Sequence, residues 1–406
     1  MPAPRWLNRN VVGMAITSFC ADVGYEMVSA VLPGFLAAIG AAPEALGWIE
    51  GAADAISSFV KLGAGWYGDR IGRRKPIVAT GYFLSGTGLA LFAKAMSWPL
   101  VLVGRSVAWF GKGIRGPLRD AMLSDSSPPE VRGRVFGMHR AADTAGAVCG
   151  PLLGVWLLAR LPRPDAAAPF RTIFLISLIP GLISFAAITF LVAEKRVAGN
   201  RSRKLWRSIA ELPASYRKFL VGVGIFGSGD FAPTLLVMAA IQLLTPGHGV
   251  LRAGEIAGLL YVLRNVTYAL SAFPAGVLAD RMNKRLLLAI GYGLGGATAA
   301  GAALLFAARV TAIAPMASVF LLGGVYVGVY DALEGAIPAD MIRPEDRGTA
   351  YGLMGAVNGA GDLIASALVG TLWTVASPVV GFGCAAGLML AGAGVMGLDS
   401  RQTPAN

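Results

Sequence analysis

Histidine occurs twice in this chain, at 139 and 248, and cysteine three times, at 20, 149 and 384. The cysteines lie inside apolar segments at no metal-ligand spacing, and their number is odd. That argues against a disulfide framework and against a bound metal. A histidine-rich metal pore is disfavoured on the same grounds. Charge is scarce as well, at 14% of 406 residues. A soluble domain of that length needs a more highly charged surface. No nucleophile–histidine pair, glycine-rich phosphate loop or metal cluster appears, so an enzyme is disfavoured and no cofactor is expected.

What the chain has instead is apolar residues, at 55% with a mean hydropathy of +0.62, and 54 glycines. Apolar segments recur along its whole length, many near the ~20 residues that a membrane helix needs. Glycine suits close helix contacts in lipid. The expected class is an all-α polytopic membrane protein. Spans are predicted near 10–37, 45–68, 77–97, 99–123, 134–158, 171–193, 218–244, 254–279, 286–308, 315–340, 348–374 and 377–398. The N-terminal "MPAPRWLNRN" is short and basic, has no small-residue cleavage site and reads as the lead into an uncleaved first span.

The net charge of +12 gathers in short loops, where it sets orientation; it is no signal for nucleic acid. The longest polar segment, "EKRVAGNRSRKLWRSIAELPASYRK", is strongly basic and is predicted to be cytoplasmic. The loops holding "DRIGRRKP" and "DRMNKR", and both termini, then fall on the same side. Arg160, Arg163 and Arg171 depart from the rule by falling on the outer face. The stretch "RSIAELPASYRKF" reads equally as a surface amphipathic helix or a plain linker.

The halves repeat. Gly47–Arg74 lines up without a gap with Gly258–Arg285, pairing Gly65, Asp69, Arg70 and Arg74 with Gly276, Asp280, Arg281 and Arg285. Likewise "SDSSPPEVRGRVFG" lines up with "ADMIRPEDRGTAYG", pairing Asp125 with Asp340. The domain reading is a bundle of six helices over 1–193, a basic linker over 194–217 and a second such bundle over 218–406. Two pseudo-symmetric halves of this kind are the architecture of a rocking transporter.

At this point a family resemblance becomes specific. The pattern G-x-x-x-D-R-x-G-R-R-K at Gly65–Lys75 resembles the loop two–three signature of the major facilitator superfamily, and 276–285 resembles its degenerate second copy. Gly146-x-x-x-Gly150-Pro151-x-x-Gly154 is similar to a span-five motif of the proton-coupled export branch, with Val155 in place of its last glycine. Asp22 followed by Leu32-Pro33 in span one is a weaker match. The resemblance covers essentially the whole chain. The departure is in span four, where the glycine expected four residues after Arg105 is Trp109. The resemblance implies that Asp69 latches the halves on the cytoplasmic side, with Arg70 or Arg73 held by Asp125. The second copy of that gate is Asp280, Arg281 or Arg285, and Asp340. Gly65 and Gly72 would allow close packing and a tight turn, while Arg73, Arg74 and Lys75 would anchor the topology.

Ionisable groups at membrane depth cost several kcal/mol and need partners, water or a function. Spans three, six, nine and twelve hold none in their interiors, and the resemblance puts those four outermost, against lipid. The others hold Asp22 and Glu26; Glu50, Asp54 and Lys61; Arg105, Lys112, Arg115, Arg119 and Asp120; Arg140 and Asp143; Asp230; Arg264; Asp331 and Glu334; and Asp362. Asp22 and Glu26 share one helix face, as do Glu50 and Asp54. Lys112, Arg115 and Arg119 form a cationic stripe. The competing readings are proton or substrate coupling and a purely structural ion network. Gly146, Gly150 and Gly154 form a smooth ridge that serves helix packing. The resemblance adds a seal against leak, and Pro151 predicts a kink.

These readings converge on a secondary active transporter working by alternating access, with proton-coupled export of a small organic compound expected. A proton-coupled importer of a polar solute or metal chelate is the first alternative, and a non-transporting receptor or scaffold the second. The expected partners are the substrate, protons and the bilayer. The expected setting is a bacterial inner membrane, as a monomer with both termini cytoplasmic.

Overall fold

A computed structural model describes residues 7–71, 73–126, 131–194, 212–279, 281–342 and 347–400. The described residues form helices joined by short turns, with no strand among them. In lipid every backbone N–H and C=O must be satisfied within its own segment, and the helix does this. The first half of the chain forms α1 (Arg9–Ala38), α2 (Pro43–Ile71), α3 (Lys75–Ala90), α4 (Trp98–Asp125), α5 (Arg132–Arg160), α6 (Ala168–Ile176) and α7 (Leu178–Phe190). The second half forms α8 (Ala214–Gly227), α9 (Pro233–Ala279), α10 (Lys284–Ala307), α11 (Ile313–Met341), α12 (Arg347–Val375) and α13 (Pro378–Ser400). Proline opens several of them: α2, α9 and α13 begin on one, and α3, α4 and α6 carry one in the first turn. There its missing N–H removes a group that has no helical partner anyway. The loop before α10 ends in a side-chain cap, with Asn283 accepting from the backbone N–H groups of Arg285 and Leu286.

Read as membrane passes, α6 and α7 make one crossing, interrupted at Ser177. The seventh crossing is α8 followed by the start of α9, with a non-helical break over 228–232. The sequence predicts a loop over 245–253, and α9 is two helices that meet there with almost no loop between them. A single residue turns the chain there, Gly249 at φ 72 and ψ 160, a conformation a side chain would strain. Helices α2 and α4 fall outside the nine segments that pass as apolar spans, and both carry several charged residues. Along the described residues the helices follow the order of the predicted spans.

The chain divides into two compact units. One is Met1–Phe35 with Ile56–Arg203, and the other is Leu36–Ala55 with Lys204–Asn406. In the first, α3 packs on α4 and α7. In the second, α10 packs on α11 and α13, and α9 on α11. The end of α1 and the first half of α2 belong to the second unit. There the Glu44 N–H donates to Thr374 Oγ1 at 3.1 Å. Large apolar side chains stand exposed on α6, α7, α10 and α13, among them Leu175, Phe190, Leu304 and Leu398. These are lipid-facing surfaces, on crossings expected to lie outermost. The arginines that break the loop-charge rule have local partners. Arg163 donates to the Leu158 carbonyl, Arg171 donates to that of Ala95, and Arg160 lies 5.7 Å from the Trp156 ring.

Candidate functional site

In the first unit the glycine ridge of α5 seats the acidic face of α1. A Cβ on Gly146 would come within 2.7 Å of the Phe19 carbonyl oxygen and 2.8 Å of Asp22 Cβ. On Gly150 it would meet the Val23 oxygen at 2.7 Å and Glu26 Cβ at 3.1 Å, and on Gly154 the Met27 oxygen at 2.9 Å. Two features that the sequence shows separately, an acid pair and a glycine motif, are thus one interface. Helix α5 is continuous through Pro151. Glu26 is buried and Asp22 half-buried. The charges that act on Asp22 are those of Asp143, Arg115, Lys112 and Glu26.

The cations of α4 lie over aromatic rings. Arg105 Cζ is 3.6 Å from the Trp109 ring centroid, and its Nη1 donates to Ser29 Oγ at 3.1 Å. Lys112 Nζ is 4.3 Å from the Tyr25 ring and 4.8 Å from that of Trp109. Arg115 Cζ is 4.2 Å from the Tyr82 ring. The ring quadrupole attracts a cation over its face, more strongly when water is excluded. Towards the other end of α4, Arg119 donates to Ser18 Oγ and to Asp120 Oδ1, each at 3.0 Å. Ser18 Oγ lies 3.3 Å from Nε2 of the buried His139, which in turn lies 3.7 Å from Asp143. The sequence reading gives this His139–Asp143 pair no role. Its signal was their i, i+4 spacing on one helix face.

The second unit holds carboxylates on hydroxyl and amide donors. Asp230 stands in the helix break, where the Tyr326 hydroxyl donates to it at 2.9 Å. The break frees backbone groups, and one of them, the Ala232 N–H, donates to Ser366 Oγ. Glu334 is buried and accepts from Tyr292 at 2.6 Å and from Asn358 Nδ2 at 2.8 Å. Asp331 is exposed and accepts from Tyr268 at 2.8 Å. Buried Arg264 donates to Asn265 Oδ1. Phe226 stacks on Tyr292 with centroids 3.7 Å apart. Glu50 is buried and Asp54 half-buried in the part of α2 that belongs to this unit.

Among the described residues an ion pair stands in each of the two repeated loops. Arg74 Nη1 meets Asp125 Oδ2 at 2.6 Å, and Lys284 Nζ meets Asp340 Oδ2 at 2.6 Å. The sequence expected Arg70 or Arg73 on Asp125, and Arg281 or Arg285 on Asp340. Arg74 stands at the N-cap of α3, one residue beyond the exposed Arg73, and so reaches Asp125 as well as or in place of the arginines expected there. Lys284 takes the second as the first residue of α10. Arg281 is exposed, and Arg285 reaches Met341 Sδ. Gly72 and Asp280 lie outside the described residues, as do the side chains of Asp69 and Arg70 and the surroundings of Gly65.

Comparison with known proteins follows from this geometry. The family model of the Major Facilitator Superfamily matches residues 14–250 and 219–405. A protein of Methanocaldococcus jannaschii named an uncharacterized MFS-type transporter is 30% identical over 378 residues, 93% of this chain and 92% of its own. A Mycobacterium tuberculosis protein named a multidrug resistance protein B homolog is 32% identical over 210 residues, 51% of this chain and 37% of its own. Among solved structures, a bacterial homolog of the human lysosomal transporter Spinster, inward-facing and unoccupied, superposes with a TM-score of 0.74 at 14% identity. It covers 99% of this chain and 100% of that one.

Proposed function

The chain belongs to the major facilitator superfamily, and on that footing we propose that it exports a small organic compound from the cytoplasm in exchange for protons. It is a multi-pass membrane transporter and not an enzyme. The observation that carries the proton half of the proposal is the seat of Asp22 and Glu26. Helix α5 has no side chain on its ridge that could separate these acids from its backbone. They are held one turn apart on α1, with Lys112 and Arg115 among the charges acting on Asp22. Two carboxylates so placed repel each other in a site of low dielectric, and a movement of α4 that changes the distance of its cations would change that repulsion, which is the chemistry the proposed exchange uses. Exchange then needs neither metal nor nucleotide.

The match to proteins named for multidrug resistance supports export over import. Asp230, at a broken helix, supports a substrate contact in the second unit, since discontinuous helices build binding sites in such transporters. The gate assigned to Asp69 rests on its motif. Loss of transport by Asp69→Asn at normal expression is its expected signature. The basic loops support a bacterial inner membrane with both termini inside, and nothing in the proposal requires more than a monomer. The test is proton release and uptake in everted vesicles challenged with a compound library. A compound that collapses the pH gradient only when the protein is present supports exchange, and substrate flux indifferent to the gradient overturns it.

A further inference from the structure

Between α1, α3, α4 and α7 the first unit encloses a cavity of about 20 Å³. That is room for a single water-sized or halide-sized occupant. Its wall includes Tyr25, Tyr82, Trp109, Lys112, Arg115 and Ser177. Arg115 is only 4% exposed, and its Nε and Nη1 have no hydrogen-bond partner. Its guanidinium lies over the Tyr82 ring, which satisfies the face of the cation but accepts no in-plane N–H. A guanidinium presents its N–H groups as a fork suited to an anion. Lys112 brings a second positive charge to the same wall. A buried donor left without an acceptor is costly, and Arg115, one of the residues that line this cavity, carries two.

We propose that this cavity binds one small anion, a halide or a carboxylate no larger than acetate, beside the Arg115 guanidinium with Lys112 as the second charge. The proposal goes beyond proton exchange and stands without it, because binding requires no gradient. Asp22 on α1 is the acid whose charge acts on both cations, with Glu26 on the same helix and Asp143 on α5 beside it. Its carboxylate competes with the bound anion, so neutralising Asp22 strengthens anion binding.

The test uses the purified full chain in detergent, in gluconate buffer, titrated with sodium bromide by calorimetry and by thermal shift. Wild type is expected to bind bromide, and crystals soaked in bromide to show an anomalous peak beside the Arg115 guanidinium. Arg115→Gln should weaken binding at least about tenfold, the scale of losing a charge-assisted hydrogen bond. Asp22→Asn should strengthen it several-fold. Competition by sodium acetate assigns the site to a small carboxylate, and bromide binding indifferent to acetate assigns it to free halide. Bromide affinity unchanged in Arg115→Gln, or a soaked cavity holding water alone, overturns the proposal. If Arg115→Gln does not fold, Arg115→Lys is read in the same titration. The wild-type anomalous map decides independently of both variants.

Discussion

In the first unit Tyr25 and Tyr82 offer a ring face to a cation; in the second, tyrosine hydroxyls serve carboxylates, although Arg264 also lies 6.0 Å from the Tyr261 ring. Tyr25 and Tyr82 lie under Lys112 and Arg115, while Tyr326, Tyr292 and Tyr268 donate to Asp230, Glu334 and Asp331. A phenol ring can do both, because its face is negative and its O–H is a donor. The two halves share loop sequences and the ion pair of each loop, yet their interiors carry opposite charge in the foreground. The repeat has therefore been kept where the chain turns and remodelled where it is buried. We read this as a division of labour. On the proposed function, the acids and cations of α1, α4 and α5 in the first unit would serve the proton, and the hydroxyl-bonded acids of the second unit the transported molecule.

The largest expected effect comes from breaking that division at its most charged point. Asp22→Asn should abolish accumulation or extrusion driven by a pH gradient, while substrate still binds. Asp230→Asn should instead shift apparent substrate affinity several-fold and keep gradient dependence. The measurement is transport in proteoliposomes with an imposed pH gradient, for each variant at matched protein content. If Asp230→Asn loses gradient drive and Asp22→Asn keeps it, the assignment of roles is reversed.

A second break acts on packing. The α1 acids are held where they are because α5 presents glycine to them. Gly150→Leu would drive a side chain against the Val23 carbonyl, which a Cβ alone already approaches to 2.7 Å. Backbone cannot give way as a flexible side chain can, so the two helices must separate. Such overpacking costs about 1–3 kcal/mol or more. The expected result is low yield of folded protein and a lowered melting temperature. Normal stability would mean that the ridge is not the seat of Asp22 and Glu26.

The contrast between interface and partner choice also marks what could be read in advance. Crossings were legible because a run of apolar residues must be helical in lipid, whatever it touches. The repeated loops were legible because their glycines, acids and bases recur at fixed offsets. The glycine ridge was legible as a ridge, but what it packs against was not. That depends on the rotation of α1 about its own axis, which one sequence does not set. For the same reason the pairing of Arg74 with Asp125 was not legible: neighbouring residues differ in direction, and the start of α3 sets that of Arg74. The break at 228–232 was hidden inside an apolar run, where Ser228, Gly229 and Asp230 are the only hints. The tyrosine partners were invisible, since mid-span tyrosines read simply as bulky apolar residues. The Asp69 latch lies outside the described side chains and stands on its motif.

Tyrosine substitutions sharpen the comparison at smaller scale. Tyr292→Phe removes a donor from buried Glu334 and keeps the stacked ring, so it should cost about 1–3 kcal/mol of stability. Tyr82→Phe keeps the ring face under Arg115 and should cost less. Tyr82→Leu, which removes that face, should cost more than Tyr82→Phe, by about 0.5–2 kcal/mol. Thermal unfolding of the three purified variants gives the order. Equal losses for Tyr82→Phe and Tyr292→Phe would mean that the hydroxyl, and not the ring, matters in both units.

The smallest effects belong to the loop ion pairs, where the two units are most alike. Arg74 and Asp125 have side chains 13% and 33% exposed, against 30% and 60% for Lys284 and Asp340. Water and salt screen the second pair more, and arginine holds a carboxylate with better geometry than lysine. Asp125→Asn should therefore cost about 1 kcal/mol, and Asp340→Asn under ~0.5 kcal/mol, within the range of partly exposed pairs. Raising the salt to about 1 M, where the screening length falls to ~3 Å, should erase the smaller loss and leave part of the larger. Both losses are read as shifts in melting temperature at low and high salt. Equal shifts, erased together by salt, would mean that the two loops are equivalent and that only the buried interiors distinguish the halves. A larger loss at Asp340 would show that burial does not rank these pairs, and that Lys284 holds its partner for a reason the exposed geometry does not supply.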